Sequence, residues 1–248
     1  MQGIIDRGKY KIAEILCRSE GYEACLCVDV TKNDDRNIFL FNIYNSKQTI
    51  REYLPMFYAI QKNNIKDFIG IEVFEGSISA IFKYYSGEEL TGFFEKHKEI
   101  SFDERLEYAD SLLSRALELE LMDNRLACCA LKEGSVVIDK KAKAVHLNFP
   151  AAPESLEHAE NISERLGYLI SKMFVFDRLL PEEIMDFTDR LIDRSFGGCV
   201  EIYSQWRKAA ASAPDTRREY EKESFFKSMK RFALRKEKMI KKNRNRSK

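Results

Sequence analysis

Four polar residues of this sequence have side chains suited to chemistry: Glu52, Lys132, Asp139 and Asn148. An ammonium group, carboxylates and an amide could together position a ligand in an atypical nucleotide-binding protein or a transferase. Lys132, Asp139 and Glu52 also have structural explanations, as a hydrogen-bond donor, a turn residue and part of a solvated helix face respectively. At this point both interpretations stay open.

The six cysteines and three histidines are spread along the chain without a ligand pattern. Cys25 with Cys27, and Cys128 with Cys129, lie within apolar stretches, and the paired spacing typical of zinc sites does not occur. We therefore predict that these thiols are buried as small hydrophobic groups, and we expect no metal and no other cofactor. Thiols without a disulfide framework, and no apolar segment after Met1, favour a cytoplasmic location.

The elements that must position these residues change from strands to helices along the chain. The predicted strands lie at 10–16, 24–28, 38–44, 69–74 and 78–84, with a helix at 49–61 between the third and the fourth. The later predicted helices lie at 90–94, 106–119, 160–176, 181–193 and 200–211, with one hairpin at 135–147. Pro55 is expected to kink the first helix or confine its regular part, and Ser101 with Glu104 predicts a capping box.

This order of elements predicts an α+β fold with two lobes. A strand-rich N-lobe is expected at residues 1–86, a reduced helical C-lobe at residues 87–213, and a basic amphipathic or disordered tail at residues 214–248. With 248 residues, of which 44% are hydrophobic, the chain is long enough to bury a sizeable core.

Residues 15–29 resemble the opening strand, the glycine-rich loop and the second strand of eukaryotic-like protein kinases, in register and without gaps. The three glycines of that loop let the backbone wrap closely over nucleotide phosphates. Here Cys17, Ser19 and Tyr22 stand at their positions. Side chains there, Tyr22 above all, are expected to crowd the phosphate space.

Two further N-lobe positions continue the kinase-like series. Residues 38–42 look like the third strand, whose Val-Ala-Ile-Lys pattern carries the lysine that holds the phosphates, and Phe41 stands at the place of that lysine. Glu52 is the best match to the glutamate partner of the lysine, although without a lysine it is equally well explained as a solvated residue. Residues 81–90 resemble the hinge between the lobes.

Residues 128–138 align over their full length with the kinase catalytic loop, His-Arg-Asp-Leu-Lys-Pro-x-Asn. Ala130 stands for the base aspartate and Ser135 for the metal-binding asparagine, while Lys132 is retained. Asn148 stands for the magnesium-binding aspartate of Asp-Phe-Gly, and an amide is a weak ligand for a hard cation. Only about ten residues separate Pro150 from the next predicted helix, so we expect no activation segment of the usual length.

The resemblance implies a protein kinase-like fold over roughly residues 9–210, of the bacterial Ser/Thr-kinase-like type. Phosphoryl transfer depends on positioning and charge neutralisation, so the replacements just described imply a catalytically inactive pseudokinase. We expect neither phosphate transfer nor ATP binding, and a cleft filled from within by Phe41 and Tyr22. The domain would then be a protein-interaction module or scaffold, for a protein partner that the sequence does not identify.

The net charge of +1 hides a basic end, because residues 217–248 carry 14 Lys or Arg against four Glu, or +10, which leaves −9 on residues 1–216. Apolar residues recur there at nearly helical spacing, and the positions assigned to membrane or partner contact are Phe225, Phe226, Lys230, Arg231, Phe232, Arg235 and Lys238. A basic helix with phenylalanines on one side can lie in the headgroup region of an anionic membrane. Docking on the acidic body is the alternative, and nucleic acid is not expected because the tail offers no base-reading fold.

These features predict a cytoplasmic protein that is peripheral at the membrane or tethered to it. A chain that continued past Lys248 into a transmembrane helix would have the layout of the membrane-tethered pseudokinase component of type VII secretion systems, which this sequence resembles in layout alone.

Overall fold

The computed structural model describes residues 4–5, 9–31, 37–157 and 161–222, together with Lys230 and Ala233. Within these ranges the chain folds into a first lobe built on a sheet and a second lobe built mainly on helices. The predicted α+β fold with two lobes is therefore confirmed, and the predicted strands and helices appear in the predicted order.

The N-lobe is a six-stranded antiparallel sheet with one helix. Its elements are β1 (Ile4–Ile5), β2 (Tyr10–Ser19), β3 (Tyr22–Asp29), β4 (Ile38–Tyr44), α1 (Lys47–Lys62), β5 (Phe68–Phe74) and β6 (Ser77–Lys83). The strands lie side by side in the order β1-β2-β3-β4-β6-β5, so that β5 forms one edge of the sheet. Pro55 does not end α1, and it occupies an exposed position of the helix.

Side chains of β3 and β4 alternate between two buried faces of the sheet, as the period of two in a strand requires. The inner face joins the main hydrophobic core together with α1, and it carries Tyr22, Ala24, Leu26, Leu40 and Tyr44. The outer face forms a separate small cluster, composed of Tyr10, Cys25, Cys27, Phe39, Phe41 and Ile81. Cys25 pairs directly with Phe41 across the two strands, which places both residues on the outer face.

The described part of the C-lobe contains seven helices and a three-stranded sheet. The helices are α2 (Leu90–Lys96), α3 (Phe102–Leu119), α4 (Asn124–Ala130), α5 (Pro153–Leu156), α6 (Ile162–Met173), α7 (Glu182–Ile192) and α8 (Cys199–Lys222). The strands are β7 (Glu88–Glu89), β8 (Val136–Asp139) and β9 (Ala144–Leu147), in that order across the sheet. The predicted capping box is present, since Ser101 accepts a hydrogen bond from the Glu104 backbone and Glu104 accepts one from Ser101.

Helix α8 closes the C-lobe and runs past the predicted end of the domain. Cys199 begins it and donates its backbone N–H to the Glu120 carboxylate at 2.5 Å, so that the residue directly after α3 supplies a cap for α8. A Cβ atom at Gly198 would collide with that carboxylate, which explains a glycine before the helix. In its middle, Trp206 is fully buried and donates its indole N–H to Asp110 at 3.2 Å.

The last turns of α8 contact the C-lobe, although the tail was expected to begin at residue 214. Arg217 forms an ion pair of 2.7 Å with Asp177, which is nearly buried, and its guanidinium lies 4.6 Å from the centroid of the Phe102 ring. Thr216 donates a hydrogen bond of 2.5 Å to Glu183. The helix therefore contacts the fold beyond residue 214, and it extends to Lys222.

Of the tail positions named above, the structure describes only Lys230, an exposed helical residue. The residues Phe225, Phe226, Arg231, Phe232, Arg235 and Lys238 lie outside the described part of the chain. Among the helices that are described, each is too short or too polar to cross a bilayer.

Candidate functional site

The segment that the sequence aligns with the glycine-rich loop of kinases is a tight turn between β2 and β3. Ser19 pairs with Tyr22 across a two-residue connection, in which Gly21 has a φ of +78° that glycine adopts without strain. Cys17 and Ser19 are exposed, whereas Tyr22 is 2% exposed and points to the inner face of the sheet. Its hydroxyl donates a hydrogen bond of 2.7 Å to Asn42, so the side chain lies against β4 on the inner face of the sheet.

Phe41 does not point into the cleft, and this prediction is wrong. Its ring is fully buried in the outer cluster, 5.1 Å from the ring of Tyr10. The reason is the alternation of side chains along β4, because an alignment displaced by one residue transfers every side chain to the opposite face. The β4 residue that points towards the C-lobe at this place is Asn42.

Asn42 joins β4 to the segment that stands at the position of the Asp-Phe-Gly motif. Its Nδ2 donates to the backbone oxygen of Phe149 at 3.0 Å, and its Oδ1 accepts from the backbone N–H of Ala151 at 2.8 Å. The side chain is fully buried, and Oδ1 also accepts the hydroxyl of Tyr22. The Asn42 carboxamide thus satisfies one backbone acceptor and one backbone donor of residues 149–151, as the backbone of a neighbouring strand would.

Asn148 makes the equivalent contact with Tyr85, within residues 81–90, which the sequence aligns with the kinase hinge. The Tyr85 backbone N–H donates to its Oδ1 at 2.9 Å, and its Nδ2 donates to the Tyr85 backbone oxygen at 3.0 Å. The residue is 4% exposed. A carboxamide presents an acceptor beside a donor, which is also what the edge of an adenine base presents. The side chain therefore occupies the donor and acceptor that the hinge backbone offers at Tyr85.

Aromatic side chains close the space around these two carboxamides. Phe149 stacks on Phe82 of the inner face, with ring centroids 4.9 Å apart and planes inclined by 17°. The Tyr44 hydroxyl donates to the backbone oxygen of Ala151 at 2.5 Å, and burial raises its pKa, so it remains a protonated donor. We call the contacts of Asn42, Tyr44, Phe82 and Tyr85 with residues 148–151, together with the hydrogen bond from Tyr22 to Asn42, the interlobe seam.

The segment that the sequence aligns with the kinase catalytic loop contacts α5 and lies next to the seam. Ala130, at the end of α4, is fully buried. The neighbouring Cys129 thiol lies 3.4 Å from the backbone oxygen of Ser155 on α5, and burial raises its pKa to about 11, so the thiol is protonated at neutral pH. Ser135 is buried as well, and its backbone oxygen accepts from the Asn148 N–H at 2.8 Å, while Lys132 is half-buried.

The other candidates for chemistry lie apart from the seam. Glu52 is exposed on α1 and forms a long ion pair of 3.4 Å with Arg125 at the start of α4. Asp139 accepts the backbone N–H groups of Lys141 and Ala142 at 2.9 and 3.0 Å, which is the turn function expected of it. Among the described residues, His, Cys, Asp and Glu form no cluster that could hold a metal ion.

Sequence reasoning missed the second half of the site. Tyr85 donates its hydroxyl to buried Asp67 at 2.7 Å, Asp67 forms an ion pair with Arg115 of α3, and the Tyr85 ring stacks on His146 at 4.0 Å. Burial lowers the pKa of His146, so the imidazole is held neutral. For the site as a whole, the sequence offered one signal. This was Asn42, because a single amide stands there within the apolar run of β4.

Comparison with known proteins gives matches among solved structures only. No protein-family model matches the sequence, and no curated protein does. Among solved structures, the chain is similar to Rad53 in complex with AMP-PNP, with a TM-score of 0.56 and 15% identity, over 81% of this chain and 66% of that one, slightly under two thirds. It is also similar to the kinase domain of PknI from Mycobacterium tuberculosis, with a TM-score of 0.53 and 14% identity, over 82% of this chain and 96% of that one. At these identities the similarity establishes the fold and no activity.

Proposed function

We propose that this chain, which has a protein kinase-like fold, is a catalytically inactive pseudokinase that serves as a protein-interaction or scaffold domain. The observation that carries the proposal is the position of Asn148. In the place of a magnesium-binding carboxylate stands an amide, and this amide is turned to the hinge, where it takes both backbone groups of Tyr85.

The seam makes nucleotide entry costly. Five hydrogen bonds join residues 148–151 to Asn42, Tyr44 and Tyr85. At about 1 kcal/mol net for each bond, opening the seam costs about 5 kcal/mol, and this lowers the affinity for any ligand that needs the open state more than about a thousandfold. The stack of Phe82 on Phe149 adds to this cost.

The groups that transfer phosphate are also replaced. Ala130 has no proton acceptor, Ser135 is a buried hydroxyl, and the residue of β4 that points towards the C-lobe is the neutral Asn42. Positioning and neutralisation of charge supply nearly all of the rate in phosphoryl transfer. With Glu52 bound to Arg125 and Asp139 committed to its turn, the set of groups required by an atypical nucleotide-binding protein or a transferase is not assembled at one place.

A thermal-shift titration with ATP and magnesium tests the proposal. A ligand at 100 times its dissociation constant stabilises a protein by about 2.7 kcal/mol, so a nucleotide-binding domain would melt at a clearly higher temperature. We expect no shift at millimolar ATP, and no transfer of labelled phosphate to the chain or to a generic substrate. A saturable rise in melting temperature would refute the proposal that the cleft is closed to nucleotide. Transfer of labelled phosphate that is abolished by Lys132→Ala or Glu52→Ala would establish an enzyme.

We further propose that the basic end of the chain binds an anionic membrane surface at the cytoplasmic face. The support is the charge of +10 on residues 217–248, beside three phenylalanines, since each basic residue near an anionic surface adds about 1 kcal/mol before screening. The chain should sediment with phosphatidylserine vesicles at low salt and be released at high salt, while a chain ending at Lys222 should stay in solution. Equal sedimentation of both chains, or of neither, would refute this assignment.

A further inference from the structure

The C-lobe carries exposed apolar side chains at the end of α6. Tyr168 is exposed on this helix, and Val175 and Phe176 follow in the turn after it, with exposed fractions of 38%, 36% and 44%. An ammonium group lies against each of the two rings. Lys172 is 5.1 Å from the centroid of the Tyr168 ring, and Lys98 is 4.6 Å from that of Phe176. We call these five residues the corner patch.

The corner patch adjoins the last turns of α8. Asp177, the residue directly after Phe176, forms the ion pair of 2.7 Å with Arg217 of α8. Lys222, where α8 ends, is five residues beyond Arg217 and therefore about 8 Å further along the helix axis. The segment of high positive charge, residues 217–248, thus begins beside the patch.

We propose that the corner patch is a second contact with the anionic lipid surface that binds the basic end of the chain. This inference rests on the membrane association proposed above. The rings of Tyr168 and Phe176 lie among the headgroups, a level at which aromatic side chains are favoured. The long stems of Lys98 and Lys172 allow their ammonium groups to meet lipid phosphates while the rings lie deeper. The contact gives the domain a fixed orientation, with this side of the C-lobe towards the lipid.

Charge selects lipid among the occupants that such a surface could have. The basic end of this chain would meet like charge at Lys98 and Lys172. A second copy placed on the patch about a twofold axis would bring the same ammonium groups together. Of two carboxylates beside the patch, Asp177 is neutralised by Arg217, and Glu99 lies 3.1 Å from an imidazole nitrogen. The patch therefore keeps a positive charge, which an anionic surface complements.

The patch strengthens a binding that the basic end begins. Only parts of three apolar side chains are exposed in it, so it is too small to hold the domain on a membrane by itself. Once the basic end is bound, the patch is kept next to the lipid at a high effective concentration. A chain ending at Lys222 therefore stays in solution, and the effect of the patch is measured in the full chain.

Two matched double variants of the full chain test the contact. Tyr168→Gln combined with Phe176→Gln should lower the partition onto phosphatidylserine vesicles roughly tenfold, because each partly exposed ring contributes a factor of a few when it is buried. Tyr58→Gln combined with Phe74→Gln is the control, since these rings are exposed by 55% and 65% on the N-lobe, and it should leave the partition unchanged. Equal losses in the two variants, or no loss in the first, would overturn the proposal.

Fluorescence quenching separates this inference from membrane association itself. Phe176→Trp adds a reporter at the patch, and Trp206, the only tryptophan of the chain, is fully buried. Vesicles of phosphatidylserine with phosphatidylcholine brominated in its acyl chains should quench Phe176→Trp strongly, and should leave Phe74→Trp near its emission without lipid. If the wild-type chain does not sediment with the vesicles, both membrane proposals fail. If it sediments while the two reporters are quenched equally, the basic end binds lipid and only the oriented contact of the patch is refuted.

Discussion

Asn148→Asp is the substitution that tests the seam most directly. Aspartate keeps the size of asparagine and still accepts the Tyr85 N–H, but it has no proton to donate to the Tyr85 oxygen when it is ionised. The side chain is 4% exposed, so the change leaves a buried carbonyl unpaired and places a negative charge beside it. It also restores the carboxylate that the kinase motif has at this position.

The expected loss of stability is about 2 to 3 kcal/mol at pH 7. A buried acceptor left without its partner costs about 1 to 3 kcal/mol, and the buried charge adds to this. For a domain of this size such a loss lowers the melting temperature by roughly 5 to 10 °C. Burial should raise the pKa of the new carboxyl in the folded state above its value in the unfolded chain. The loss is therefore full at pH above the folded pKa, and it shrinks as the pH falls towards the unfolded value.

Urea denaturation at a series of pH values, followed by circular dichroism, measures this loss. Asn63→Asp is the matched control, because the amide of exposed Asn63 also donates to a backbone oxygen, that of Leu121, at 2.7 Å. That substitution should cost less than about 0.5 kcal/mol, with little dependence on pH. If Asn148→Asp costs no more than Asn63→Asp, the amide does not hold the seam closed and the reasoning fails. Recovered ATP binding in Asn148→Asp would show that the amide alone blocks the cleft.

Three further outcomes follow from contacts elsewhere. Arg217→Ala should lower the free energy of unfolding by about 1 to 3 kcal/mol in urea titration, because its carboxylate partner is nearly buried, whereas Arg218→Ala, whose ion pair is exposed, should change it by less than about 0.5 kcal/mol. Gly198→Ala should displace Glu120 from the start of α8 and cost about 1 kcal/mol, seen as a lower denaturation midpoint at an unchanged slope. Burial lowers the pKa of His146 in the folded chain, so as the pH falls through about 6.5 the unfolded chain takes up a proton before the folded chain does. The free energy of unfolding of the wild type should therefore decline below that pH more steeply than that of His146→Gln. Equal slopes for the two proteins would refute this expectation.

The elements were predictable because their signals are local. The apolar run of β4, the turn of Glu75 and Gly76, and the capping box at Ser101 each fix a short piece of chain by its own geometry.

The seam was predictable only in part, because its contacts join residues more than 60 positions apart in sequence, as in Asn148 with Tyr85 and Asn42 with Ala151. Phe41 was assigned to the cleft by alignment to a four-residue pattern, and a displacement of one residue was enough to reverse its face. Sequence shows that Asn42 is a lone amide in an apolar strand. It does not show which backbone groups the amide binds. Those hydrogen-bond partners determine whether the amide closes the cleft or only lines it.

The docked end of α8 has a mechanical consequence. Arg217 and Thr216 fasten the helix to the C-lobe beyond Pro214, and at 1.5 Å per residue the 24 residues of α8 make a rod of about 36 Å. The direction of the chain at Lys222 is therefore fixed relative to the C-lobe. A force applied to the chain beyond Lys222 would load the contacts of Trp206 and Arg217 together, in shear along the axis of α8. The domain would therefore reorient as a rigid body with any anchor attached at that end.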